Sequence, residues 1–120
     1  MENQLLIDNV VEKLYKRYPE LQDRFGEEGR RKCREDNVHH FNYLQAAADV
    51  EEEKIFVDYA IWLNSVLVSR GMKPDHLIDN FVCIQEAIEE GEGEGDSRFP
   101  SYLQAAIRSI RQGEQCETPS

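Results

Sequence analysis

The stretch Arg30-Arg31-Lys32-Cys33-Arg34-Glu35-Asp36-Asn37-Val38-His39-His40-Phe41 places a thiol, a carboxylate and an imidazole on one side of a predicted helix, directly after a basic cluster. At about 100° per residue, with Cys33 as origin, Asp36 falls near about −60°, His40 near about −20°, Leu44 near about +20° and Phe41 near about +80°. A nucleophile, an anion and an apolar wall therefore share one face. The rest of the chain offers little other chemistry. Aromatic residues Phe56, Tyr59 and Trp62 recur at helical spacing further on and could wall a pocket for a flat ligand, although such a stripe also suits an ordinary core.

The elements that would position these groups read as helices throughout. Leu6, Val10, Val11, Leu14, Tyr15 and Tyr18 recur at helical spacing and predict an amphipathic helix over about residues 3–18. Pro19 suits the first turn of a short second helix ending at Arg24, which Gly26 closes in a left-handed cap. A third helix spans 27–50, with Cys33, Phe41, Leu44 and Ala48 on one face. Asp49 and Glu51-Glu52-Glu53 suit the positive end of a fourth helix carrying Ile55, Phe56, Tyr59, Leu63, Val66 and Leu67. Gly71 closes it as a C′ residue, Pro74 prevents its extension, and Asp75 reads as the N-cap of a fifth helix through Phe81, Cys83 and Ile88.

Residues 89–97 are acidic and glycine-rich without an apolar anchor, and read as a loop. A final helix begins near Pro100 and places Tyr102, Leu103, Ala106, Ile107 and Ile110 on one stripe. The tail 113–120 has nothing to bury and is expected to be disordered. No period-two alternation appears. The expectation is an all-α bundle of five to six helices over residues 1–112.

Charge and cysteine usage bound the function. Asp plus Glu number 24 against 14 for Lys plus Arg, a net charge of −10, which makes nucleic acid a poor partner. No apolar run approaches the roughly 20 residues a membrane span needs, and no basic-then-apolar leader opens the chain, so the expected setting is cytoplasmic. The three cysteines, Cys33, Cys83 and Cys116, include no close pair and suit reduced thiols. Cys83, among Phe81, Val82 and Ile84, reads as core.

Four segments in order carry a family resemblance: Leu14-Tyr15-Lys16-Arg17-Tyr18-Pro19-Glu20-Leu21, Arg31-Lys32-Cys33-Arg34-Glu35-Asp36, Val66-Leu67-Val68-Ser69-Arg70-Gly71-Met72 with Pro74, and Ile84-Gln85-Glu86-Ala87. From Leu14 to Ala87 the chain resembles the phycobiliproteins, the bilin-carrying relatives of the globins, and within them looks most like the small bilin biosynthesis-associated globins. The resemblance implies a globin-like fold and a linear tetrapyrrole ligand. It also implies that Cys33 forms a thioether to the pigment and that the Asp36 carboxylate bridges its inner pyrrole nitrogens. Both roles are chemically sensible: a carboxylate accepts clustered N–H donors strongly. The basic residues Arg30, Arg31, Lys32 and Arg34 are expected to help the thiol ionise and to pair with propionates.

This sequence departs from the light-harvesting members in carrying Glu35, where they have arginine before the aspartate. It also lacks the N-terminal helical extension used for their paired assembly, which points to an accessory role in bilin metabolism rather than an antenna.

Other readings of the same residues stay open. Cys33 could be a small core hydrophobe, and Asp36 a solvated edge residue or a partner of Lys32 one turn earlier. His40 could hydrogen-bond at the edge of a pocket while His39 faces solvent. Haem is the rival cofactor, with His40 or His76 as axial ligand. A metal cluster is not expected, because His76 is the only further histidine and no Glu-x-x-His pair occurs. A third reading is a ligand-free interaction module that forms a homodimer or docks a bilin biosynthesis enzyme through an external apolar patch. Catalysis is not expected, since no nucleophile and base are backed by an oxyanion-type motif.

Overall fold

The computed structural model describes residues 4–90 and 97–116, with side chains to residue 112. Among these residues the chain forms five helices: α1 (Gln4–Arg17), α2 (Glu20–Asp49), α3 (Glu53–Ser69), α4 (Pro74–Glu90) and α5 (Phe99–Cys116). The bundle measures 44 × 39 × 18 Å, the short dimension matching two helix layers. α3 packs chiefly on α5 and α1 on α4, while α2 lies against both α1 and α3. Phe41, Leu44, Phe56, Phe81, Ile84 and Leu103 are fully enclosed at the centre. Cys83 is buried among them, as its apolar neighbours imply.

Apolar periodicity accounts for the five elements; the terminal chemistry explains where their ends differ from expectation. At Gly26 the backbone turns to φ 60°, ψ −150°, so the short N-terminal turns of α2 and its long body meet in one kinked helix without an intervening loop. The positive φ is as expected, but ψ lies in an extended region open almost only to glycine rather than in the left-handed helical one. α4 starts at Pro74, so Asp75 lies inside the first turn and does not cap it. The missing N–H and fixed φ of proline suit that first position. α5 continues to Cys116, past the Gly113 where fraying was expected. Residues 117–120 and most of the 89–97 loop lie outside the described residues, and Glu89 and Glu90 complete α4.

Two helix ends close by the same motif with different residues. After α3, Met72 N–H donates to Leu67 O and Gly71 N–H to Val68 O, both at 3.0 Å, with Gly71 at φ 89°. After α2, Glu52 N–H donates to Ala47 O at 2.9 Å and Glu51 N–H to Ala48 O at 3.1 Å, with Glu51 at φ 56°. Both are Schellman caps, and the second sets a glutamate where glycine is usual. α3 therefore starts at Glu53, later than the acidic run suggests. Glu51→Gly is expected to stabilise the fold by about 1 kcal/mol, since left-handed backbone costs an L-residue roughly that much. Thermal unfolding followed by circular dichroism should show a rise of about 4 °C.

Candidate functional site

The kink in α2 opens a cleft of about 430 Å³ bounded by α1, α2, α3 and the start of α4. Leu63, Val66 and Leu67 of α3 form one wall, and Leu14, Leu21 and Phe25 another. Lys32, Cys33, Asp36 and His40 line it from α2; Arg70, His76 and Asn80 close the remaining sides. Lys32, Cys33, Asp36, His40 and His76, all singled out from the sequence, therefore meet in one cavity. A second groove of about 330 Å³ lies between α3 and α5, but its charged residues Glu53, Lys54, Asp58 and Arg108 are exposed and none of the candidates reaches it.

Arg30, Arg34 and Trp62 do not line the cleft. Arg30 and Arg34 project to the flank of α2 that α1 covers. Arg30 Nη1 donates to Glu12 Oε2 at 2.8 Å and its guanidinium lies 4.6 Å from the Tyr15 ring centre. Arg34 pairs with Asp8. Arg31 is held between Glu28 and Glu35 on the surface of α2. Trp62 precedes Leu63 by one residue, which turns it about 100° from the wall. It is 60 % exposed, with its ring 6.5 Å from that of Tyr59, on which Tyr43 stacks at 4.0 Å.

The electrostatics correct one sequence expectation. Burial, reinforced by the Asp36 carboxylate, pushes the Cys33 thiol up to about 12, and Arg30 and the Asn37 amide oppose this too weakly. The basic cluster does not offset this burial: Arg30 lowers the thiol only in part, and Arg31 and Arg34 are paired with carboxylates. The Asp36 carboxyl, on a residue otherwise exposed, is also pushed up by burial at the cleft, against the attraction of His39, Lys32 and Arg70. His40 is buried, its Nδ1 2.7 Å from the Tyr59 hydroxyl and its ring edge-on to Phe81 at 5.3 Å. Burial, and secondarily the charge of His39, lowers it to about 3, so the imidazole is neutral. His39 is exposed, as expected.

A buried amide pair, not among the residues singled out above, stands behind the thiol. Asn37 Nδ2 donates to Asn80 Oδ1 at 3.1 Å and Asn80 Nδ2 to Asn37 Oδ1 at 2.7 Å. Asn37 also donates to the Cys33 carbonyl at 2.9 Å, and lies 3.8 Å from its Sγ. The signal was present: Asn37 sits at about +40° on the Cys33 stripe, a core position for a polar residue. Its partner on α4 was not readable. His76, the other candidate haem ligand, lines the cleft; its Nδ1 is buried without a hydrogen-bond partner among the described residues, and its ring meets Tyr18 edge-on at 5.0 Å. Among the described residues no cluster of His, Cys, Asp and Glu could hold a metal ion, and no helix is long and apolar enough to cross a membrane. No family profile, curated protein or solved structure matches this chain.

Two measurements probe the site's framework. Asn37→Leu strands the Asn80 amide and should cost about 2–3 kcal/mol, whereas Asn37→Leu/Asn80→Leu should recover much of that loss in denaturant titrations. The second is pH. His40 titrates near 3 when folded against about 6.5 unfolded, so the unfolded chain takes up the proton first. The stabilisation is complete above about pH 6.5 and declines below it by up to about 1.4 kcal/mol per pH unit. Asp36, raised on folding, works in the opposite sense near its own titration. His40→Gln, which keeps a partner for Tyr59, should flatten the melting temperature between pH 6.5 and 4.5; an unchanged slope would assign the effect to other groups.

Proposed function

We propose that this chain is a non-enzymatic, globin-like binding protein, related to the phycobiliproteins, that holds a linear tetrapyrrole in the α2–α3 cleft as an accessory of bilin metabolism. The observation that carries the reading is that Cys33 and Asp36 open onto one apolar cleft, of a volume ordinary for a small-molecule site. From Gly29 to His40 the lining residues of α2 extend over about 16 Å of helix.

Asp36 supplies the acceptor for clustered pyrrole N–H groups, and its raised carboxyl gains most from a cationic partner. Lys32 and Arg70 supply positive charge for propionates in place of Arg30 and Arg34. A thiol near 12 is ionised in only about one part in 10⁵ at neutral pH, so binding is non-covalent first. A thioether at Cys33 then needs a separate activation.

Haem is the second reading, because the neutral imidazole of His40, a form able to ligate iron, lines the same cleft as His76. One titration separates the two. Biliverdin should bind with a shifted visible absorption and induced circular dichroism, and most pigment should be released on denaturation. Asp36→Asn should weaken binding at least tenfold and Cys33→Ser should leave it nearly unchanged. No spectral change with biliverdin, together with a Soret band on haem addition that His40→Ala or His76→Ala abolishes, would replace the bilin reading with the haem one.

A further inference from the structure

The six residues before the kink have the marks of a separate part. Pro19 interrupts the chain at one end of the segment 20–25, and Gly26, at φ 60° and ψ −150°, at the other. Between them only Leu21 is partly buried against the core, while Gln22 is tied to the body of α2 by the Arg30 Nε hydrogen bond at 2.8 Å. Phe25 lines the cleft and is nevertheless 51 % exposed, with the Arg24 guanidinium 5.1 Å from its ring centre. A large apolar side chain half in water costs free energy that filling the cleft beneath it would recover.

Its seat is specific. Phe25 rests over Gly29, where a Cβ would collide with the Phe25 Cβ and lie 3.0 Å from the Tyr15 hydroxyl. Glycine at position 29, inside a helix and at ordinary φ, is explained by this close approach and not by backbone conformation. Positions 26 and 29 thus do different work: the first allows the turn, the second receives what the turn brings down.

We infer that Glu20–Phe25 is a lid hinged at Gly26, and that Phe25 is its closing residue, a binding residue that swings onto the open face of an apolar ligand in the cleft. Leu21 and Phe25 complete the wall opposite Leu63, Val66 and Leu67, and closure withdraws Phe25 from water. The inference rests on the reading of the cleft as a ligand site, and not on the ligand's being a bilin.

The test uses the full chain and the apolar fluorophore 1-anilinonaphthalene-8-sulfonate, with biliverdin in parallel. Amide exchange in the free protein should be at least tenfold faster at 22–26 than at 33–44, and should slow on addition of the fluorophore. Phe25→Ala and Gly29→Ala, the second displacing Phe25 from its seat, should each raise the fluorophore's dissociation rate at least fivefold while helical circular dichroism stays unchanged. Protection at 22–26 equal to that of the α2 body, dissociation rates unchanged in folded variants, or no binding of the fluorophore would each overturn the lid. If the variants do not fold, the exchange comparison on the unmodified chain decides. Fluorophore binding that depends on Phe25, with no response to biliverdin, would keep the lid and reject the bilin.

Discussion

The reciprocal amide pair between Asn37 and Asn80 is the constraint on which the arrangement of this cleft depends. Each carboxamide both donates to and accepts from the other inside a largely apolar interior, so a slip of α2 against α4 would leave two buried amides unpaired. Apolar contacts alone tolerate such slips far better, because they are not directional. The pair stands one turn from Cys33, whose carbonyl Asn37 also holds, and one turn from His76 and Leu77 on α4. Fixing these two helices fixes the distance between the thiol side of the cleft and its floor.

Around this register the ion pairs perform a sorting of charge more than a stabilisation. Lys13 with Glu90 and Arg17 with Glu86 tie α1 to α4, while Arg30 with Glu12 and Arg34 with Asp8 tie α1 to α2. Exposed pairs of this kind contribute about 0–1 kcal/mol each. Their larger effect is positional: they take Arg30 and Arg34 away from Cys33 and leave Lys32 and Arg70 as the cations of the cleft. A thiol among four basic residues in sequence therefore sits, in space, beside a carboxylate and an amide.

Those contrasts show what could be read from the chain and what could not. The helices were legible because each carries a repeating apolar stripe, and the Gly71 cap because glycine is the residue that such a turn selects. The Glu51 cap was not legible: its geometry is set by the α2–α3 connection, and no glycine marks it. Cys33, Asp36 and His40 were found together because they lie on one helix, where angular position suffices. Arg30 and Arg34 share that helix but are captured by Asp8 and Glu12 of α1, a decision made between helices. Trp62 misled for a simpler reason, since its aromatic neighbours Phe56 and Tyr59 are core while it lies one residue off the wall formed by Leu63 and Val66. Asn80 and Arg70 come from segments with no chemistry of their own until α3 and α4 bring them to α2, while His76 is readable as a ligand type but not in its position opposite α2.

The neutrality of Cys33 also orders events at the site, should its ligand be a bilin. Burial raises the thiol first, and the nearby Asp36 carboxylate raises it further. A cationic pigment on Asp36 would neutralise the second influence and leave the first, so occupancy would lower the barrier to thiolate formation without removing it. Closure of an apolar wall works the other way by excluding water from the sulfur. Burial is thus the larger of the two influences that keep the thiol protonated, and the Asp36 carboxylate, the anionic acceptor that the cleft presents, adds to it.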